Sequence, residues 1–226
     1  MGIIIVAWRM NPREVTLSEI QALFRGYPYK PSRLFMIGST SWRWPVAVVG
    51  TRKPSPEAVS LTRELVRALV RNGFTIVTGG APGIDTIATQ EALGLGQKPV
   101  VVWPCLNKKA RKWAESGAVV ASEALECTSE ELVLRDRVVA GLARAIIVPE
   151  ARVGTARKAC CGTWYTAVKF GVQAGRPVFV FKPLIVDVDV HEAFRVFVRD
   201  GASPVSSIDE LLMRLRGLFN GWFPWV

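Results

Sequence analysis

The chain has 226 residues, half of them hydrophobic and 21% charged, a balance that excludes a disordered polymer and suits one well-cored α/β domain better than two. Its formal net charge is +10 and unevenly placed: residues 98–112 hold Lys98, Lys108, Lys109, Arg111 and Lys112, and residues 151–186 hold Arg152, Arg157, Lys158, Lys169, Arg176 and Lys182, with no acid in either block. Such blocks point to a polyanionic partner; no apolar run reaches the ~18 residues of a membrane helix and no secretory signal is evident, so a cytoplasmic protein that does not enter the membrane is expected.

In chain order, residues 1–45 carry one amphipathic helical stretch, "LSEIQALF", followed by "RGYPYKPSR", whose prolines and tyrosines suggest extended chain. They are read as an N-terminal lead-in. From 46 to 219 short β-branched runs alternate with helical patterns, which predicts an α/β, Rossmann-like, doubly wound and mainly parallel sheet. The strands are expected at 46–50, 74–79, 99–103, 118–122, 145–149 and 177–181, six or more in all. The first helix is bounded by Ser55 as cap, Pro56 in its first turn and Asn72-Gly73 at its end, with Ala58, Leu61, Leu65 and Ala68 as its apolar stripe. A later helix, "TSEELVLRDRVVAGLARA", opens with Thr128 and Glu131 at capping-box spacing. The closing helix is capped by Ser207, and residues 220–226, "NGWFPWV", form an apolar tail that packs on the core or meets another subunit.

In an open parallel sheet the loops after the strands hold the ligand. Three of them are rich in small residues. "GTRKPSP" offers Gly50, Thr51, Arg52 and Lys53; "TGGAPGID" offers Gly79, Gly80, Gly83 and Asp85; "CCGTWYTA" offers Gly162 and Thr163, with Trp164 behind them. Glycines let a ligand approach the backbone, free amides at a helix start attract an anion, and an arginine can fork onto phosphate. A ligand bearing phosphate is therefore expected, with Arg152, Arg157, Lys158 and Trp164 as auxiliary contacts. Asp85 is read as a possible base, or more simply as a helix cap. Asp187 and Asp189 alternate with valines, as a polar strand face would, or a metal pair. Cys105, Cys127, Cys160 and Cys161 show no C-x-x-C spacing, and the single histidine, His191, has no nucleophile beside it in the pattern. No catalytic residue, metal or cofactor is expected.

The motifs "YPYKPSRLFMIG", "VAVVGTRKPSP", "TIVTGGAPGIDTIAT", "LRDRVVAGLARAIIVPEA", "GTWYTAVKFGVQAGRPVFVF" and "RDGASPVSSIDELL" follow one another over residues 27–212. In that order the chain resembles the DNA-processing protein A (DprA/Smf) family. The resemblance implies a Rossmann-like, non-enzymatic domain that binds and protects single-stranded DNA, forms a homodimer and helps load a RecA-family recombinase in recombination, repair or transformation. It implies DNA contacts for Arg52, for the glycine loop ending at Asp85, and for Arg135 and Arg137, which match the family's Arg-Asn-Arg element. Asp136 replaces that element's amide with a charge, which weakens a phosphate contact or makes an internal ion pair. The lysine and aromatic that often precede the element are absent from "TSEELVL", and Pro82 stands where a basic residue is common.

Two other readings share the glycine loops. One is a nucleotide or cofactor carrier. The other is a phosphoribohydrolase, whose Pro-Gly-Gly-x-Gly-Thr-x-x-Glu motif is not matched: Gly162-Thr163 is followed by Thr166, and Gly154-Thr155 by Lys158, where the acid is required.

Overall fold

The computed structural model of the chain describes residues 11–39, 42–127, 131–153 and 162–219, and of residues 131–134 the backbone alone. Among these residues the strands are β1 (Arg13–Glu14), β2 (Phe35–Ile37), β3 (Pro45–Val48), β4 (Thr75–Thr78), β5 (Val100–Val102), β6 (Val119–Ser122), β7 (Ala145–Val148), β8 (Val178–Phe181) and β9 (Ser203–Val205). They form one sheet in the order β1-β2-β6-β5-β4-β3-β7-β8-β9. From β6 to β9 every pair is parallel, while β1 and β2 add an antiparallel edge.

Side chains alternate between the two faces of a strand, and both faces here are apolar. Ala47, Val49, Ile146 and Val148 point to the face covered by helices α1 (Leu17–Leu23), α5 (Glu131–Leu142) and α6 (Val188–Arg199). Val46, Val48, Ala145 and Ile147 point to the face covered by α2 (Pro56–Arg71), α3 (Ile84–Gly94) and α7 (Ile208–Phe219). Helix α4 (Lys108–Glu115) closes a smaller cluster with Phe35, Ile37, Leu106 and Val120. Burial on both faces explains why the strands read as continuous β-branched runs.

The six expected strands are all present. Three short ones, β1, β2 and β9, lie outside those runs: β9 contains Pro204, which normally argues against a strand but is tolerated at the sheet's edge. Helix α2 is bounded as its sequence suggests, with Ser55 accepting from the Ala58 amide and Pro56 in the first turn. Asn72 ends it and Gly73 follows at φ +80°. Ser207 likewise accepts from the Glu210 amide. Asp187 and Asp189 do not lie on a strand face; Asp187 is the N-cap of α6, accepting from the amides of Asp189 and Val190. The helical period of Val190, Ala193 and Phe197, all buried, outweighs the short alternation before it. Thr128, Arg157, Lys158, Cys160, Cys161 and the 220–226 tail lie outside the described residues.

Cys105 and Cys127 are disulfide-bonded, their Cα atoms 5.1 Å apart across a sequence separation of 22. The bond joins the β5–α4 loop to the segment that leads from β6 toward α5. Such bonds are uncommon in reducing compartments, and nothing in the cysteine spacing announces this one.

Helices α1 and α5 meet at Gly141, where an added Cβ would sit 2.6 Å from the Phe24 ring and 2.7 Å from the Tyr27 ring. Tyr27 is itself fixed, donating its hydroxyl to the Phe170 carbonyl at 3.1 Å. Gly141→Ala therefore sets helix propensity, which favours alanine by roughly 1 kcal/mol, against overpacking of two buried rings. Overpacking should win, with a net loss of about 1–2 kcal/mol in urea unfolding; a more stable variant would show that α1 shifts freely on α5.

Candidate functional site

Strand β3 is the point at which the sheet's winding reverses. From β3 the chain crosses through α2 to β4 on one side, whereas its other neighbour, β7, is reached later through α5. Crossovers that diverge in this way leave a crevice beyond the carboxyl ends of the two strands. A cleft of about 410 Å³ lies there. All three glycine-bearing loops reach it: Gly50, Thr51, Arg52 and Lys53 after β3, Gly79 after β4, and Gly162 and Thr163 before the π-helical turn Tyr165–Lys169. Helix α5 adds Arg135, Asp136 and Val139.

The loops are shaped by close backbone contacts. A Cβ at Gly50 would lie 2.6 Å from Ile84 Cγ1 and 2.8 Å from the Glu150 carbonyl oxygen. Gly83, at φ +88°, presses on the backbone of Thr51 and Arg52, so that the Ile84 amide reaches the Thr51 carbonyl at 3.2 Å. Asp85 fastens the first two loops together. Its Oδ1 accepts from the Gly50 amide at 3.3 Å and its Oδ2 from the Gly79 amide at 2.9 Å. It is thus not the cap of α3, a position held by Gly83, but a buried residue of the first turn whose charge suits the helix dipole.

Behind Gly79 lies Arg135. Its Nη1 donates to the Gly79 carbonyl and occupies the space where a side chain at 79 would project. Its Nε lies 2.9 Å from Asp136 Oδ1, which makes Asp136 the internal ion pair that the sequence allowed. Burial pushes the Asp85 carboxyl up to about 6, against the opposing pull of Arg135 and the two amides. Burial also raises Asp136, opposed by Arg135, Thr166 and the Gly162 amide.

The rim differs from this floor. Arg52 and Lys53 are exposed and have no ion-pair partner among the described residues. Arg152 is committed inward: Nη1 to Asp187 at 2.8 Å, Nε to the Lys53 carbonyl at 3.1 Å, and Glu150 at 3.7 Å. Glu150 in turn accepts from the Ser55 amide at 3.0 Å and the Ser55 hydroxyl at 2.6 Å, tying the end of β7 to the start of α2.

Four of the expected residues do not line the cleft. Gly80 backs onto Trp103 and Gly83 onto the first loop. Arg137 turns to Glu123 in a two-pronged pair, and Trp164 donates its indole N–H to Asp200 at 2.8 Å. Residues the sequence reading did not single out for this cleft, Val49, Ala81, Val139, Thr166 and Asp189, complete its walls. Thr166 carries a usable signal, standing one helical turn beyond Thr163.

Fold and cleft together define an open α/β protein of the Rossmann-like type. Residues 16–216 match the family of DNA recombination-mediator protein A, and the chain belongs to that family. It is 30% identical over 181 residues to protein Smf of Synechocystis sp., covering 75% of this chain and 44% of that one. It is 29% identical over 178 residues to DNA processing protein DprA of Streptococcus pneumoniae, covering 74% and 60%. The chain thus spans about half the length of these curated relatives. Among solved structures, one describing the single-stranded DNA binding mode of DNA processing protein A from Helicobacter pylori superposes with a TM-score of 0.74 at 24% identity, over 93% of this chain and 98% of that one. DprA from Streptococcus pneumoniae gives 0.70 at 26%, over 89% and 73%. The molybdenum cofactor carrier protein of Chlamydomonas reinhardtii shares the fold, at 0.57 and 16%, over 79% and 99%.

The raised carboxyl of Asp85 has a measurable consequence. With a folded value of about 6 against an ordinary 3.8, the folded protein holds this proton more tightly than the unfolded chain. The resulting stabilisation is full below about pH 4 and is lost as pH rises through about 6. Asp85→Asn cannot titrate there, so the stability difference between wild type and variant should change by on the order of 2 kcal/mol between about pH 4 and pH 7, wild type losing ground as pH rises. Urea unfolding of both proteins across that range checks it; a difference independent of pH would assign the slope to other groups.

Proposed function

We propose that the cleft binds single-stranded DNA, and that the chain acts as a DNA-processing protein of the DprA/Smf type rather than as an enzyme. The observation that carries this reading is the pair of exposed cations, Arg52 and Lys53, at the mouth of the cleft at the sheet's switch point. Arg52 and Lys53 stand exposed beside the Gly50 loop, where their charge can hold a phosphate, while the amides of Gly50, Thr51 and Lys53 are already donated to Asp85, the Glu150 carbonyl and the Thr51 hydroxyl and keep the loop in shape. Positive charge continues beyond the cleft. Helix α4 starts at the same sheet edge, after β5, and shows Lys108, Lys109, Arg111 and Lys112 exposed, with none in an ion pair among the described residues. A mononucleotide needs the cleft alone, whereas a strand needs cations past it. Family membership and the single-stranded DNA binding of the Helicobacter pylori relative support the same ligand.

In this reading the protein works in the cytoplasm as a homodimer, protects the strand and helps place a RecA-family recombinase on it. No helix among the described residues is long and apolar enough to cross a membrane. The shared fold of the molybdenum cofactor carrier keeps a small phosphate-bearing ligand as the competing reading.

Fluorescence anisotropy of labelled single- and double-stranded oligonucleotides over a salt series, with AMP and ATP as competitors, separates the two. The single strand should bind more tightly, resist the mononucleotides, and lose affinity with a log–log salt slope of about −2 or steeper, about three or more phosphates. Arg52→Ala should weaken binding by about 5- to 150-fold, the scale of one charged contact worth about 1–3 kcal/mol. Weak DNA binding with efficient competition by a mononucleotide would transfer the cleft to a carrier role.

A further inference from the structure

Helix α4 is weak by its own sequence. It has eight residues, no acid in its first turn, and cations at Lys108, Lys109, Arg111 and Lys112, so the helix dipole and the repulsion between neighbours three and four apart both oppose it. Its head therefore depends on what caps and tethers it. Asn107 is the cap, accepting from the amides of Lys109 and Ala110 at 2.9 and 3.1 Å, and it donates its side-chain amide to Cys127 Sγ at 3.3 Å. Cys127 is in turn bonded to Cys105, which precedes the cap in the same loop. Among the described residues these two links, both at Cys127, are the polar ones that hold the exposed turn of Leu125, Glu126 and Cys127 to the head of α4. The strand ends behind them are secured without sulfur, since the Leu106 amide reaches the Ala124 carbonyl at 3.1 Å. The two cysteines also differ in access: Cys105 is fully buried and Cys127 is exposed. A thiolate from solvent can reach the Cys127 sulfur, with Cys105 as the leaving group.

Building on the DNA-binding reading, we infer that Cys105–Cys127 is a thiol–disulfide exchange site whose oxidised form holds α4 in place as part of the strand's cationic track. The exchange partner is a small dithiol. Its thiolate attacks Cys127 and expels Cys105; its second thiol then displaces Cys127, so the dithiol leaves as a cyclic disulfide and the protein keeps two thiols. Two electrons and two protons pass to the protein, and the oxidised carrier, run in reverse, restores the bond. In a reducing compartment a bond of this kind is usually transient and follows the redox state. Reduction frees the turn at Cys127 from the cap of α4 and leaves the sheet joined.

The test poises the full chain with reduced or oxidised dithiothreitol, reads the state of the pair by alkylation and peptide mapping, and measures anisotropy with a labelled single strand over a salt series in each state. The oxidised protein should bind about 3- to 10-fold more tightly, the scale of ordering one or two long side chains afresh on binding. Its log–log salt slope should be steeper by about 0.7 or more, the share of one phosphate. Trypsin should cut within α4 faster in the reduced protein. Cys127→Ser, a change at an exposed position, should match reduced wild type and ignore the redox poise. Equal affinity and slope in the two states, or a bond that opens only on global unfolding, would overturn the inference, leaving a structural staple and DNA binding in place. A Cys127→Ser protein that still responds to the poise would overturn it too, by assigning the response to other cysteines. If neither state binds the strand, the DNA reading fails; the exchange site then stands if cleavage within α4 follows the poise, and falls if it does not.

Discussion

One buried carboxylate holds the backbone of two strand ends. Asp85 accepts from the amide of Gly50, after β3, and from that of Gly79, after β4. The two loops are thereby positioned from the first turn of α3, and the shape of the crevice depends on it. A second carboxylate acts alike on the other side, where Glu150 after β7 receives both the amide and the hydroxyl of Ser55 at the head of α2. Buried ionisable groups are a poor way to stabilise a fold, since desolvation opposes their attraction. Their concentration at the carboxyl ends of the central strands fits groups kept to place a backbone, with the helix dipole and Arg135 offsetting the cost.

The same geometry divides the arginines. Arg135 and Arg137 are two positions apart on α5 and must leave it on different sides. The first fills the space vacated by a side chain at Gly79; the second finds Glu123. Arg135 is thus a support for the second loop and a counter-ion to Asp136, with 8% of its surface exposed. Arg52, in contrast, follows a loop fastened on both flanks and projects outward. The two are complementary: the loop's amides are held by hydrogen bonds while the guanidinium is left exposed to solvent.

Much of the frame was legible because burial writes itself into composition. Strands covered on both faces read as β-branched runs, and α2 announced its own limits through Ser55, Pro56 and Asn72-Gly73. The antiparallel edge and β9 were not legible, being two- or three-residue elements whose pairing is set by neighbours distant in sequence. Glycine loops marked the right sheet edge, yet sequence could not separate the glycines that face the cleft from those that pack away from it. That distinction belongs to Trp103 behind Gly80 and to the Thr51 backbone against Gly83. Asp85 stood out by its place in the loop, but its role rests on two amides that lie 35 and 6 residues away. The Cys105–Cys127 bond left no trace in spacing at all.

Charge was the least legible quantity. The formal excess of +10 counts every cation alike, but the structure sorts them. Arg152, from a block without acids, is held between Asp187 and Glu150, so the block's sequence overstates the charge it lends the cleft. Arg135 and Arg137 are matched by acids within the same part of the fold. The cations left facing solvent near the sheet's carboxyl edge include Arg52 and Lys53 at the crevice and the Lys108–Lys112 run on α4, on separate loops. A single anion would sit at one of these. Attraction spread over both favours a ligand whose charges repeat along a backbone.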